Sequence, residues 1–279
     1  MKYHIEKNSV QETLVIPLYG RKMCTELYPA LYRDETAVRL MEQVDYDFSA
    51  LAEKTKGVMY RFGYLEAAMR QTDLAWEVRD YLKTHPSAAV VNLGCGLDDT
   101  GRRCDNGACK IYNLDFPDVI AARNELLPAG EREEIIPCDL NDTAWFDRSD
   151  ASGGAGCFAA GVFYYFLNEQ VKALVQAMAK AFPGGRLVFD GAGRSAVKLM
   201  LKTWIKSADI KDVGAYFSVS DAKRELPGWA PGLEVSSRGY MLGYNDLKDP
   251  SVSGFFRFLS KVGDGLMKMQ IVRLTFGKN

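Results

Sequence analysis

The sequence predicts an α/β fold: a doubly wound, mostly parallel sheet preceded by helices. Three observations carry that prediction. From residue 89 onward, short runs rich in β-branched and aromatic residues alternate with stretches of helical period, the pattern of strands joined by crossover helices. The first such run ends in a glycine pair and the second in an aspartate, as in sheets that bind a ligand beyond their strand ends. The composition, 47% hydrophobic and 25% charged over 279 residues, is that of a folded globular chain.

The elements follow in order. Residues 1–85 show helical spacing, clearest in Leu65, Met69, Thr72 and Trp76, and are expected to form a helical cap on a core of residues 86–279. Ala89–Gly94 reads as the first strand and Lys110–Asp115 as the second. Glu133–Asp139 reads as a third, placed near an edge or strand end by Pro137. Cys157–Tyr165 and Arg186–Asp190 read as the fourth and fifth, and Leu233–Met241 and Met269–Phe276 as two closing strands. Pro117 opens a helix at a position where its missing N–H costs nothing. Asn168 is placed to cap another, whose Val171, Leu174, Val175, Met178 and Phe182 repeat at helical intervals until Pro183-Gly184-Gly185 stops it. The stretch 194–232, with Trp204, Trp229 and two Pro-Gly turns, interrupts the alternation and is expected to act as a substrate lid.

Charge narrows the function. Lys+Arg is 35 and Asp+Glu 36, a formal charge of −1, so no nucleic acid is expected as partner. The longest uncharged apolar stretch, Cys157–Leu167, falls far short of the ~20 residues that span a bilayer, so no membrane partner is expected either. The opening MKYHIEKNSV lacks the apolar segment of a secretory signal, which points to the cytoplasm. Six cysteines form no CxxC, and with only two histidines a four-ligand metal site is hard to assemble, so no metal is expected.

The first strand runs into Gly94-Cys95-Gly96-Leu97-Asp98-Asp99. Two glycines one residue apart let the chain turn sharply and let a ligand approach the backbone, although a plain structural turn has the same look. Asp115 ends the second strand 21 residues after Gly94, where a dinucleotide-type fold sets a carboxylate against ribose hydroxyls. A pyrophosphate-binding loop has a third glycine at position 99; here Asp99 stands beside Asp98, and two carboxylates would repel phosphate. S-adenosylmethionine carries no phosphate and is positively charged at its ammonium and sulfonium. The loop therefore favours it over NAD. After the third strand, Asp139 is suited to accept the adenine amino group and Leu140 to lie against the ring.

The segments VVNLGCGLDDTGRR, IYNLDFPDVIAARNELLP, IIPCDLNDTAWFD and GVFYYFLNEQVKALVQAMAKAFPGGRLVFD, with IPLYGRKMCTELYPALYRDETA upstream, resemble the leucine carboxyl methyltransferase family. They are most similar to its branch of bacterial O-methyltransferases that resemble the tetracenomycin polyketide methyltransferase. The resemblance implies a class I methyltransferase fold, a seven-stranded Rossmann-like sheet whose last strand is antiparallel, with Met269–Phe276 as that strand. It implies Gly94 and Gly96 as the cofactor loop, Asp115 as the ribose acid, Asp139 and Leu140 at the adenine, and Arg61 and Arg21 as cap cations for the methionine carboxylate. Two departures stand out. Ala160 occupies a position where many relatives carry Glu, and Asp99 and Gly101 alter the loop.

Methyl transfer from a sulfonium is an in-line displacement that needs alignment and dryness more than a base. Tyr164 and Tyr165 stand where an acceptor would meet the methyl group; on a strand, only one of the two would face it. No catalytic base is assigned. The expected function is S-adenosylmethionine-dependent O-methylation of a hydroxyl or carboxylate on a small molecule of polyketide-like or other secondary-metabolite type. Its alternatives are a cofactor- or partner-binding relative without catalysis, and an NAD(P)-linked oxidoreductase.

Overall fold

The computed structural model describes residues 2–5, 10–200 and 217–278. Two short strands, β1 (Tyr3–His4) and β2 (Val44–Asp45), pair with each other beside helices α1 (Val15–Leu27), α2 (Glu35–Gln43) and α3 (Ser49–Thr55). The long helix α4 (Val58–Leu82) leads into the sheet. There follow β3 (Ala89–Leu93), α5 (Thr100–Arg103), β4 (Lys110–Asp115), α6 (Pro117–Leu126) and β5 (Glu133–Pro137). The second half holds β6 (Ala155–Ala159), α7 (Asn168–Ala181), β7 (Arg186–Gly191), α8 (Arg194–Met200), α9 (Ala222–Glu225), β8 (Glu234–Gly239), α10 (Gly254–Gly265) and β9 (Gln270–Thr275).

Seven strands form one sheet in the order β5-β4-β3-β6-β7-β9-β8. Strands β3 to β7 pair in parallel, whereas β9 lies antiparallel to both β7 and β8, as the resemblance implies. The chain winds outward from β3 to β5, then returns to β6 and winds the other way. The switch point therefore falls between β3 and β6, where open parallel sheets bind ligands.

Strands β3, β4, β6, β7 and β9 are largely buried on both faces because both are covered, whereas the edge strands β5 and β8 are more exposed. Val91, Leu114, Cys157, Leu187 and Leu274 face a core closed by α7, whose Val171, Leu174, Val175 and Met178 are buried. Burying that stripe contributes roughly 1.5–3 kcal/mol per side chain. The alternate residues Val90, Ile111, Phe158, Val188 and Ile271 face a second core shared with α4 and α10. Thus α4 covers one face of the sheet directly, and the core is continuous across residue 85.

Two local expectations need correction. Only Cys157–Ala159 of the expected Cys157–Tyr165 is strand; after Ala159 the chain turns through Gly161, whose φ of +72° suits glycine, and Phe163–Tyr165 form a 3-10 turn. Asn168 begins α7 but does not cap it. The Leu167 N–H donates instead to Gln170 Oε1 at 2.8 Å, a side chain reaching back as in a capping box. Within the expected lid, α8 lines the cavity described below, whereas Phe217, Val219, Ala222 and Leu226 are buried in the α7-side core. Trp204 and Tyr216 fall outside the described residues.

Candidate active site

A cavity of about 1520 Å³ opens over the carboxyl ends of β3, β4, β6 and β7. Isolated small-molecule pockets measure about 300–1,000 Å³, so this one has room for two ligands side by side.

The glycine loop forms its floor. Gly94 and Gly96 adopt φ of +66° and +46°, a region L side chains rarely occupy. A Cβ on Gly94 would lie 2.6 Å from Val162 Cγ2, and one on Gly96 3.1 Å from Leu14 Cδ2. Two buried arginines brace the turn. Arg123, on the inner face of α6, donates to the Gly96 carbonyl at 2.7 Å and the Asp98 carbonyl at 2.8 Å. Arg21, from α1, donates to the Leu97 carbonyl at 2.8 Å and pairs with Asp98 at 3.3 Å and Asp34 at 3.6 Å.

The two loop carboxylates are consequently not free. Asp98 also accepts from the Thr100 amide and hydroxyl, at 2.9 and 2.7 Å, and Asp99 pairs with Arg103 at 2.8 Å. Their charges are met by the protein's own cations, so direct repulsion of phosphate is weaker than the bare sequence implies. The third-glycine function survives two residues further on. A Cβ on Gly101 would come within 2.8 Å of Ile111 Cγ2, so this glycine lets α5 pack against β4.

Asp115, last in β4, turns back to the loop. Its Oδ2 accepts from the Gly96 amide at 2.7 Å and its Oδ1 from the Phe116 amide at 2.8 Å. Burial pushes its carboxyl above the usual aspartate range, against the pull of those two donors. Leu140 and Cys138 line the cavity beside it. Asp139, between them, is exposed, and its Oδ1 accepts from the Asn141 amide and side chain, both at 2.9 Å; it holds its own turn outside the cavity lining.

Helix α4 places Arg61 and Arg70 on different faces. Arg61 is exposed and does not line the cavity; Arg70, nine residues along α4, does. Nine residues at 100° each amount to two and a half turns, so the two side chains leave opposite faces of the helix. Arg70 donates to Asp190 Oδ2 at 3.3 Å, and Asp190 Oδ1 accepts from the Gly161 amide at 2.6 Å. The Arg70 Nε is buried without a hydrogen-bond partner.

Tyr164 and Tyr165 both line the cavity, the first buried and the second 45% exposed. They do so because a 3-10 turn does not alternate its side chains across a sheet. Burial and the neighbouring Asp190 push the Tyr164 phenol well above its ordinary value. Met59, Met200, Leu259, Met267 and Met269 supply an apolar wall on the side of α8 and α10.

Arg70, Asp190, Arg123 and Glu66 are the cavity and loop residues that sequence reasoning missed. A signal existed for Asp190, a carboxylate closing a strand as Asp115 does, and for Arg123, set among Val119, Ala122 and Leu126 on an apolar helical stripe. For Glu66 and Arg70 it was weaker, since a polar i, i+4 pair on a long helix reads as a solvated face.

Comparison with known proteins agrees with this geometry. The chain is 27% identical over 247 residues to the tetracenomycin polyketide synthesis O-methyltransferase of Streptomyces glaucescens, covering 88% of each chain. A crystal structure of a candidate methyltransferase from Thermobifida fusca YX superposes with a TM-score of 0.58 at 14% identity, covering 93% of this chain and 94% of that one. The plantazolicin methyltransferase BpumL, solved with S-adenosylhomocysteine, superposes with a TM-score of 0.50 at 12% identity, covering 96% and 99%. These likenesses bear on the fold. The leucine carboxyl methyltransferase family matches residues 18–179, well over half of the chain. This protein belongs to that family and is an S-adenosylmethionine-dependent methyltransferase.

Proposed function

We propose that the protein methylates an oxygen of a small, largely apolar molecule, and that both cofactor and acceptor occupy the cavity over the switch point. One observation carries this: the cavity is too large for the cofactor alone, and beyond the loop its wall turns from polar to apolar.

The residues present suit the cofactor. Its positive charge matches a lining that holds three aspartates (Asp98, Asp115 and Asp190) against two guanidiniums (Arg21 and Arg70) among the described residues. The side-chain-free approach at Gly94 and Gly96 admits a ligand to the backbone, Asp115 would accept from the ribose hydroxyls, and Leu140 would lie under the adenine. Arg70, with its unpaired buried Nε, suits the methionine carboxylate better than exposed Arg61, while Arg21 holds the loop from beneath. When bound, the cofactor supplies an electrophilic methyl group. The chain's own residues orient the acceptor, exclude water with the methionine-rich wall, and keep the Tyr164 phenol protonated beside Asp190.

The similarity to a polyketide O-methyltransferase, with the apolar wall, favours a small-molecule acceptor over a protein terminus. The test is transfer from methyl-tritiated S-adenosylmethionine to a panel of alcohols, phenols and carboxylic acids. Label is expected in small-molecule ethers or esters, told apart by alkaline hydrolysis. Label confined to nitrogen, carbon or protein products would overturn the proposal.

A further inference from the structure

Helix α10 carries the apolar wall of the cavity out to solvent. Its Phe256, Ser260 and Gly263 are buried, and Leu259 and Val262 line the cavity. At 100° per residue, Phe255 falls between Leu259 and Val262, Phe258 lies just beyond Val262, and Lys261 and Arg257 follow on the next face. Phe255 and Phe258 are each more than half exposed, as are Met59 on the first turn of α4 and Leu266 just after α10. These positions share one rim. The Phe62 and Phe256 rings meet at 5.4 Å, joining the starts of α4 and α10, and the Gly193 amide donates to the Met267 carbonyl at 3.0 Å, joining the start of α8. Met59 is exposed and also lines the cavity, so the rim lies at the cavity's opening.

The rim is cationic. Arg61 on α4, Arg194 and Lys198 on α8, Lys261 on α10 and Lys268 beyond it are exposed and form no ion pair among the described residues. Along 58–61, 194–200 and 254–268 the sequence has one acid, Asp264, whose carboxylate accepts from the Met241 and Leu242 amides at 3.0 and 2.9 Å. The chain as a whole has a net charge of −1, so the basic surplus is local to this rim. We propose that the rim docks the cavity opening on an anionic lipid surface. Exposed apolar tips bordered by Lys and Arg are what a helix lying in a bilayer interface presents. A second copy docked through the same face would set these cations against each other. Protein interfaces are poor in lysine, which supplies three of the five exposed cations. No helix among the described residues is long and apolar enough to cross a bilayer, so the contact is peripheral. The expectation of no membrane partner concerned spanning alone. The inference deepens the small-molecule reading above and rests on it for its purpose: an apolar acceptor dissolved in the bilayer would reach the cavity along α10 without crossing water.

The test is co-sedimentation of the full chain with vesicles of phosphatidylcholine alone or with about one-third phosphatidylserine, at low salt and at about 0.5 M. At low salt, partition onto the anionic vesicles is expected to exceed that onto phosphatidylcholine by about tenfold or more, and to fall toward it at high salt. Phe255→Ser with Phe258→Ser, and separately Lys198→Glu with Lys261→Glu, should each lower anionic partition about tenfold or more. Lys172→Glu with Lys223→Glu makes the same charge change at exposed sites on the α7 side and should lower it by no more than about threefold. Affinity for S-adenosylhomocysteine, measured by calorimetry, stays within about twofold of wild type in every variant, which shows the fold intact. Equal binding to both vesicle types, or binding that survives either rim pair unchanged, would overturn the proposal. Binding to neither would overturn it in favour of an acidic protein partner. A dimer in light scattering that the phenylalanine pair converts to monomer would overturn it in favour of a second copy. Failure of the wild type to bind the thioether would instead overturn the methyltransfer reading and leave the vesicle result standing by itself.

Discussion

The Arg70 guanidinium lies 3.3 Å from the Asp190 carboxylate, joining the middle of α4 to the carboxyl end of β7. Both side chains are largely shielded from solvent, and the second Asp190 oxygen holds the Gly161 amide. One ion pair thus fixes the turn after β6, the end of β7 and the helix covering them, at the rim of the cofactor cavity.

This arrangement separates two arginines that look alike in sequence. Arg70→Lys should weaken S-adenosylhomocysteine binding about tenfold or more, about 1.4 kcal/mol, because an ammonium cannot reproduce the two-pronged contact. Arg61→Ala should leave binding unchanged. Calorimetric titration of both variants checks this, with adenosine as the ligand that lacks the carboxylate and should bind all three proteins alike.

Asp115 is tied to the loop by the 2.7 Å bond from Gly96. Asp115→Ala should lower affinity for the thioether by tenfold or more, losing a charge-assisted ribose contact and the support of the loop together. Unchanged affinity in the same titration would remove Asp115 from the ribose site.

Of the two loop glycines, Gly94 is the tighter. Gly94→Ala should impair thioether binding more than Gly96→Ala, because its methyl would meet Val162 at 2.6 Å. Adding Val162→Ala should recover part of the loss, and a double-mutant cycle on thioether affinity measures how much. The strain of a positive φ would remain.

Asp73 is fully buried on α4, with one carboxylate oxygen unpartnered. Burial first, then Asp264 and Glu77, push its carboxyl up to about 9. The folded state therefore keeps a proton that the unfolded chain releases above about pH 4, so stability from this group falls as pH rises from about 4 to 9. Asp73→Asn, which cannot ionise, should raise Tm, and by more at pH 8 than at pH 5. Calorimetric melting at the two pH values reads the difference.

The sheet was legible because its strands are buried on both faces and bounded by glycine, proline and aspartate, so apolar runs and turn chemistry coincide at β3, β4 and β7. Gly94, Gly96 and Leu140 were legible at the cavity because each lies at the carboxyl end of a strand, a place topology alone specifies. The turn after β6 was misread because Phe163, Tyr164 and Tyr165 continue the β-like composition past Gly161, and only the backbone reveals the 3-10 turn. The helical contribution was hidden for another reason. On α4 the inward-facing stripe of half-buried Glu66 and Arg70 and buried Asp73 is polar, and its shielding depends on β7 and α10, more than a hundred residues away in sequence. Arg61 was singled out and Arg70 was not; helix geometry sets the two on opposite faces of α4, and Arg70 is the one that lines the cavity.

The cavity over Gly94, Gly96 and Asp115 suits a sulfonium nucleoside better than a dinucleotide. Calorimetric titration of the wild-type protein with S-adenosylhomocysteine, with NAD⁺ as control, tests it most directly. Micromolar binding of the thioether and none of NAD⁺ is expected; binding of NAD⁺, or of neither, would mean that the cavity is built for another ligand.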